Sequence, residues 1–331
     1  MDKDLDFVAI GDTVIDAFIH LRNDQAHTTR GPADTQMLCM PFGAKIPFDF
    51  AKVVYAVGNC ANAAVSAARL GLKSGLISNL GDDYRADQCL EVLAREGVVS
   101  DYIKKQEGKA TNYHYVLWYK DDRTILIKHE EFAYTMPDVG SPKWLYLTSL
   151  GGTSLPYHHG IAAYLDTHPN IKLAFQPGTF QIGLGKEELA SLYKRAEVFF
   201  CNTQEAELIL GKGGEGKELA KMITEIGPKI AVVTDGSHGA YVCDGTDTWF
   251  MPIYPDPKPP YERTGAGDAF ASTFVAALAL GKTPAEAIEW APINSMSVVQ
   301  KVGAQEGLLK RDELEKYLKD APADYKVQKV S

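Results

Sequence analysis

Residues 262–270, ERTGAGDAF, place Gly265, Ala266 and Gly267 directly before Asp268 and the small, apolar run AFASTFVAALALG. That run has a helix-compatible composition. The glycines then fall at a helix N-terminus, where amide N–H groups lack intrahelical partners and the macrodipole is positive. Such an end suits an anion, and glycine lets the backbone approach a phosphate closely. Asp268 has two roles open to it. It can cap the first turn of the helix, or it can accept a proton from an attacking alcohol while the amides stabilise a transferring phosphoryl group. The four residues alone leave both open.

Three further constellations carry polar chemistry at strand ends. In EVFFCNTQEAEL, Asn202 and Glu205 follow an apolar strand and open a helix. They form either a capping box or a pair that holds hydrated Mg²⁺ near phosphates, since Mg²⁺ keeps several waters and takes only one or two carboxylates. In VVTDGSHGAYV, Thr234, Gly236 and Gly239 make either a plain turn or a backbone ledge for a nucleobase or ribose. Near the start, GDTVID holds Asp12 and Asp16, and VGNCAN presents Gly58, Asn59 and Asn62 ahead of a helix. Short acids and amides at strand ends suit a polyhydroxyl ligand, and capping is the alternative for Asp12 and Asn59.

Other chemistries find no support. GKGGEGKE at 211–218 matches the first part of a P-loop, but Glu218 stands where Ser or Thr must bind Mg²⁺, and the preceding TQEAELIL is helical rather than a strand. His114, His129 and the His158-His159 pair lack zinc-ligand spacing, and no GxSxG elbow is present.

The elements that must position these residues alternate along the chain. FVAIG, SGLISNLG, KWLYL, IKLAF, EVFFCN and KIAVVT read as buried strands. Between them ANAAVSAARLG, ADQCLEVLAREG, EELASLYKRA and KELAKMITEIG read as helices, so the class is α/β. Two stretches break the pattern. TNYHYVLWY and RTILIKHE, joined by KDDR, form an aromatic and β-branched hairpin, and MLCMPFGAKIPFDF supplies short extended pieces around Gly43 after a polar stretch from His20 to Gln36. Both fit a small lid on one α/β body. GAYVCDG and TDTWFMPIY make a second hairpin.

The 331 residues are 45% hydrophobic with a formal net charge of −9, which suits a soluble globular chain and argues against general nucleic-acid or membrane-surface binding. No apolar run approaches the roughly 18 residues needed to cross a bilayer, and the first twenty residues do not read as a signal peptide. Cys39, Cys60, Cys89, Cys201 and Cys243 are odd in number and widely spaced, which favours reduced thiols in a cytoplasmic setting.

Taken in order, GDTVID, GNCANAAVSAARLG, LGDDYRAD, NTQE, VTDGSHGA and TGAGDAF resemble the ribokinase-like (PfkB) family of carbohydrate and nucleoside kinases over nearly the whole chain. The resemblance implies a single domain over 1–331: a three-layer sandwich of mostly parallel sheet between helices, with a small β-sheet lid from segments about 17–56 and 108–133. It implies transfer of the ATP γ-phosphoryl group to a primary hydroxyl. Asp268 would be the base, and the Gly265, Ala266 and Gly267 backbone the anion hole. Asn202 and Glu205 would organise Mg²⁺ and phosphates, with Glu205 acting through water. Thr234, Gly236, Gly239 and Asn294 would contact nucleotide, and Asp16, Gly58, Asn59 and Asn62 the acceptor. Glu262-Arg263 stands where the family often has Asp-Thr, an aspartate that helps hold a monovalent cation. That leaves Glu262 as a candidate potassium ligand and Arg263 as a cation near the γ-phosphate. The usual Gly-Gly before the acceptor helix is Val57-Gly58.

A small sugar is the first expectation for the acceptor. An adenosine-like nucleoside is the alternative, because Tyr113, Tyr115, Trp118 and Tyr119 could stack on a base, pack the lid or form a dimer surface. A phosphorylated sugar would call on Lys45 and Arg123. A catalytically silent sugar-binding protein is the third reading, and intact Asp268 and Glu205 argue against it.

Overall fold

The buried apolar runs become the centre of a ten-stranded sheet in this computed structural model, which describes residues 4–32, 35–120 and 122–330. Residues 1–3, 33, 34, 121 and 331 lie outside the described residues. Residues 1–3 belong to the leader reading, 33 and 34 to the polar stretch, and 121 to the KDDR turn.

From the amino end the elements are β1 (Phe7–Ile10), β2 (Val14–Leu21), β3 (His27–Arg30), β4 (Gln36–Cys39), β5 (Phe48–Val57), α1 (Asn59–Arg69), β6 (Ser74–Gly81), α2 (Tyr84–Arg95), β7 (Ile103–Gln106), β8 (Tyr113–Tyr119) and β9 (Asp122–Leu126). Then come β10 (Trp144–Leu147), α3 (Leu155–Thr167), β11 (Lys172–Phe175), α4 (Thr179–Leu184), α5 (Ala190–Arg195), β12 (Ala196–Asn202), α6 (Thr203–Leu210), α7 (Gly216–Glu225) and β13 (Ile230–Thr234). The chain closes with β14 (Ala240–Cys243), β15 (Thr248–Met251), α8 (Ala266–Ala279), α9 (Pro284–Val298), α10 (Arg311–Lys319) and β16 (Gln328–Val330).

The main sheet runs β16-β15-β14-β13-β12-β11-β10-β1-β6-β7. From β7 to β13 every pairing is parallel, and β14 to β16 add an antiparallel edge. Parallel strands need cover on both faces, and two separate apolar cores supply it. One packs α1, α2, α8 and α9 on the sheet, and the other packs α3, α5, α6 and α7. The result is the expected three-layer sandwich. The sequence reading passed over β16 and the terminal helices α9 and α10.

β1 lies between β6 and β10, with α1 on one face of the sheet and α3 on the other. This reversal makes a crevice at the carboxyl ends of the strands, where open α/β sheets place ligands. Asp12, Gln176, Asn202 and Thr234 all fall at such ends.

The lid is a second, four-stranded sheet in the order β5-β2-β8-β9, with β3 and β4 as a separate hairpin. β8 and β9 pair antiparallel, and β8 also pairs parallel with β2. GDTVID therefore does not merely end the first strand: Val14 already begins the lid. Among the described residues, no helix is long and apolar enough to cross a membrane.

Candidate active site

α8 begins at the opening motif. Gly265 is its N-cap at φ +83°, a left-handed conformation costly for other residues, and a Cβ there would collide with Ala304. Ala266 and Gly267, in the first turn, line two neighbouring cavities. One, of about 400 Å³, is lined by Asp268, Asn202, Glu205, Gln176, Asn59 and Arg123 among others. The other, of about 330 Å³, is lined by Thr234, Gly236, Gly239, Met251 and Tyr254. They meet at Thr234, Arg263, Ala266, Gly267 and Phe270, which line both.

Asp268 is 9% exposed, and its carboxylate is held by three carboxamides. Asn59 Nδ2 and Gln176 Nε2 donate to Oδ1 at 2.9 and 3.2 Å, and Asn62 Nδ2 donates to Oδ2 at 2.8 Å. Burial pushes the Asp268 pKa up, the three amides pull it back, and the charge of Asp16 adds to the rise. The outcome is a fixed carboxylate with a raised proton affinity beside an amide-lined cavity, which suits a general base.

This arrangement gives Asn62 partners within the protein. Its Nδ2 donates to Asp268 and its Oδ1 accepts from Gln305 Nε2 at 3.0 Å, so it positions the carboxylate, and it lines neither of these two cavities. Asn59 both orients Asp268 and lines the larger cavity. Gly58, at φ +97°, lets the chain pass the Asp12 carbonyl, which a Cβ would strike. Asp16 is a buried residue of the lid strand β2, with His114 Nδ1 3.4 Å from its Oδ1.

Asn202 and Glu205 form a reciprocal capping box at the start of α6. Glu205 N donates to Asn202 Oδ1 at 2.8 Å, and Asn202 N donates to Glu205 Oε2 at 2.9 Å. The same two residues line the larger cavity. Burial raises the Glu205 pKa, with a further push from Asp268. A carboxylate whose charge is poorly compensated is one that a nearby cation would favour, so the capping role leaves Glu205 able to hold a metal.

Thr234, Gly236 and Gly239 shape the smaller cavity through a tight turn, closed by Asp235 N donating to Gly239 O at 2.8 Å. Asn294 does not reach it. It is fully buried, donates to Thr273 Oγ1 at 2.8 Å and accepts from Leu309 N at 2.9 Å, so its amide ties α9 to α8 and to the following loop. Its neighbour Ser295 lines the cavity instead.

Glu262, 1% exposed, is also already committed. It accepts from Thr264 N at 2.8 Å, Thr264 Oγ1 at 2.5 Å and Gly303 N at 3.4 Å, and Arg123 Nε lies 3.9 Å away. These donors and the guanidinium leave it as the brace of the loop before α8, not as a ready cation ligand. Lys45 is exposed and lines neither cavity, whereas Arg123 reaches in from β9.

The lid aromatics depart from the base-stacking expectation as well. Successive strand residues face opposite sides. Tyr115 is half exposed on the outer face of the lid. Tyr113 lies under the Arg85 guanidinium, 4.8 Å away, and Tyr119 packs with Leu21 and Ala26. Trp118 is buried edge-on to Tyr261 and donates from Nε1 to Lys120 O. The polar residue that β8 turns inward is His114. Two contributors escaped the sequence reading: Gln176, although QPG directly past a strand end is a readable signal, and Tyr134, whose hydroxyl donates to both Asp12 oxygens at 2.9 and 3.0 Å.

The profile described as pfkB family carbohydrate kinase matches residues 51–311. The chain belongs to the pfkB family of carbohydrate kinases. It is therefore a phosphotransferase with an alcohol group as acceptor. It is similar to an uncharacterized sugar kinase of Archaeoglobus fulgidus, 27% identical over 73% of this chain and 97% of that one. It is also similar to a 5-dehydro-2-deoxygluconokinase of Clostridium perfringens, 26% identical over 82% and 86% of the two chains. The fold matches that of Arabidopsis thaliana ribokinase, solved in complex with ribose and ATP, with a TM-score of 0.77, 20% identity, and 96% and 99% of the two chains covered.

Proposed function

We propose that this pfkB-family enzyme transfers the γ-phosphoryl group of ATP to a primary hydroxyl of a small sugar. The observation that carries the reading is Asp268, a buried carboxylate fixed by three amides at the N-terminus of α8, between the acceptor side and the amide-lined cavity. Asp268 accepts the hydroxyl proton as that oxygen bonds to the γ-phosphorus and the bond to the β-phosphate oxygen breaks. The amides of Gly265, Ala266 and Gly267 stabilise the negative charge on the phosphoryl oxygens.

The smaller cavity takes the nucleoside of ATP, with Thr234, Gly236 and Gly239 on one wall. Arg263, which lines both cavities, faces the phosphates between them. Mg²⁺ fits beside Glu205, where it would neutralise phosphate charge, with Asn202 holding the Glu205 carboxylate in place. Potassium is not part of the proposal, because Glu262 already has its donors. A sugar is favoured over a nucleoside because the tyrosines and tryptophan of β8 are turned away or packed. The intact Asp268 constellation supports an enzyme over a silent binding protein. The cysteines form no disulfide among the described residues, which suits a cytoplasmic enzyme. Val53, Tyr115 and Leu126 form an exposed row on the outer lid face through which a second copy would pair.

The test is ADP formation with saturating ATP and Mg²⁺ over a panel of neutral sugars, sugar phosphates and nucleosides. Turnover of a neutral sugar is the expected result. Binding of a sugar with no ADP formed from any acceptor would refute the kinase assignment to this site.

A further inference from the structure

Strand register places a second polar set next to Asp268. Asp16 on β2 pairs with His114 on β8, and residues paired this way stand on one face of a sheet. Trp118, four residues beyond His114 and so on the same face, pairs with Arg123 on β9. Arg123 and Asp268 line the same cavity, so this is the face of the lid that closes over the site.

Four buried polar atoms here have no hydrogen-bond partner: Asp16 Oδ1, Asn112 Nδ2, His114 Nε2 and His129 Nδ1. Asp16 and His114 are 7% and 9% exposed. Asp16 Oδ1 and His129 Nδ1 have only long approaches of 3.4 Å, to His114 Nδ1 and Asp12 Oδ2, and Asn112 Nδ2 and His114 Nε2 have no partner at all; buried polar atoms are nearly always paired, so this cluster lacks a partner. The surrounding bonds fix the cluster. Asn112 Oδ1 accepts from Glu130 N at 2.8 Å, leaving Nδ2 as the free end of the amide. Asp12 Oδ2 accepts from Gly151 N at 2.8 Å and lies 3.4 Å from His129 Nδ1. The two imidazole rings are 5.1 Å apart.

We propose that His114, His129 and Asn112, with Asp16, read a pair of adjacent hydroxyl groups on a neutral acceptor. This rests on the kinase reading for Asp268 and names what the rest of the acceptor must look like. A hydroxyl both donates and accepts. Asp16 only accepts, Asn112 Nδ2 only donates, and each imidazole nitrogen does one or the other according to tautomer. Two neighbouring hydroxyls complete that set. A phosphate ester or a carboxylate does not, because it offers acceptors only and would face Asp12 and Asp16. The close side-chain contacts of the cluster at 3.4 Å are both between an imidazole and a carboxylate, while Arg123 and Arg263 stand at the phosphate side of the site. His114 and His129 are thus specificity determinants that no local motif announces.

The experiment compares neutral pentoses, hexoses and polyols with their monodeoxy analogues and phosphate esters, on wild-type protein and on His114→Phe and His129→Phe. In the wild type, removing one hydroxyl of the diol remote from the transferred oxygen lowers kcat/KM by about 10–100-fold, the range for one hydrogen bond to a buried polar or charged group. In His114→Phe that discrimination collapses to within about 3-fold, as expected when the buried partner itself is gone, while the KM for ATP is unchanged. His129→Phe repeats the measurement if His114→Phe does not fold. The proposal is overturned if either folded variant keeps the wild-type discrimination, or if a phosphate ester is the best acceptor. Binding of the same panel by calorimetry without nucleotide separates the two readings. A diol preference in binding without turnover sinks the kinase reading alone. No preference for the diol sinks this one.

Discussion

Asn62→Leu tests how the base is held. Asn62 is 4% exposed, and leucine is close to it in size. The change removes the amide that donates to Asp268 Oδ2 at 2.8 Å. Gln305 Nε2 keeps Ala56 O at 2.7 Å but loses Asn62 Oδ1, so one of its two buried N–H groups is left unpaired at any pH. A hydrogen bond to a charged group contributes about 1.5–3 kcal/mol, and about 1.4 kcal/mol corresponds to one pH unit in a pKa. The lost donor favoured the carboxylate, so the Asp268 pKa, already raised by burial, rises by a further ~1–2 pH units. Only the ionised carboxylate can accept the hydroxyl proton. The acidic limb of kcat/KM therefore moves up by about 1–2 pH units, with the plateau above it nearly kept. Stability follows the same sign. The penalty at Asp268 exists only while it is ionised, so that part of the variant's deficit, about 1.5–3 kcal/mol, is present above the raised pKa, shrinks as pH falls through it and is gone below the parent's Asp268 pKa, leaving the pH-independent cost of the unpaired Gln305 N–H. A pH series of initial rates and of urea unfolding measures both. A limb that stays in place, or moves to lower pH, refutes the reasoning.

Glu205→Gln keeps the capping geometry, since Gln serves at the third helical position, so its melting temperature stays near the parent's. Its apparent Mg²⁺ affinity, read from ADP formation during a Mg²⁺ titration, falls by about 10–100-fold, and superimposable titrations would remove Glu205 from the metal. Gly267→Ala adds a methyl group where the structure leaves open space beside both cavities, so it folds normally and raises the KM for ATP. An unchanged KM would exclude close phosphate approach at Gly267. Gly265→Ala, at φ +83° and against Ala304, loses about 1–3 kcal/mol of stability in denaturant unfolding.

Local chemistry was readable from the sequence. The glycines before a small-residue helix, the Asn202-Glu205 spacing and the alternation of strand and helix each depend on neighbours within one element, and the structure places those elements as the pattern implies. What lies between distant segments was not readable. Asn62 reads as a pocket amide until the fold sets it against Asp268, 206 residues away. Gln176 meets the same carboxylate across 92 residues. Asn294, given to the nucleotide by the resemblance, is sealed among internal partners by the packing of α8 on α9. Glu262 is a candidate cation ligand in the sequence, where its loop donors and Arg123, which come from folding, cannot be read. The β8 aromatics misled for a simpler reason: composition showed rings, whereas strand alternation decides that His114 and not Tyr115 faces the site.

The central claim is that Asp268 is the base, and the most direct test is the turnover number of Asp268→Asn alongside its affinity for nucleotide. The account predicts a fall in kcat of about 10²–10⁴-fold with the dissociation constant for a non-hydrolysable ATP analogue unchanged. A variant that binds nucleotide normally and turns over at the wild-type rate would contradict it.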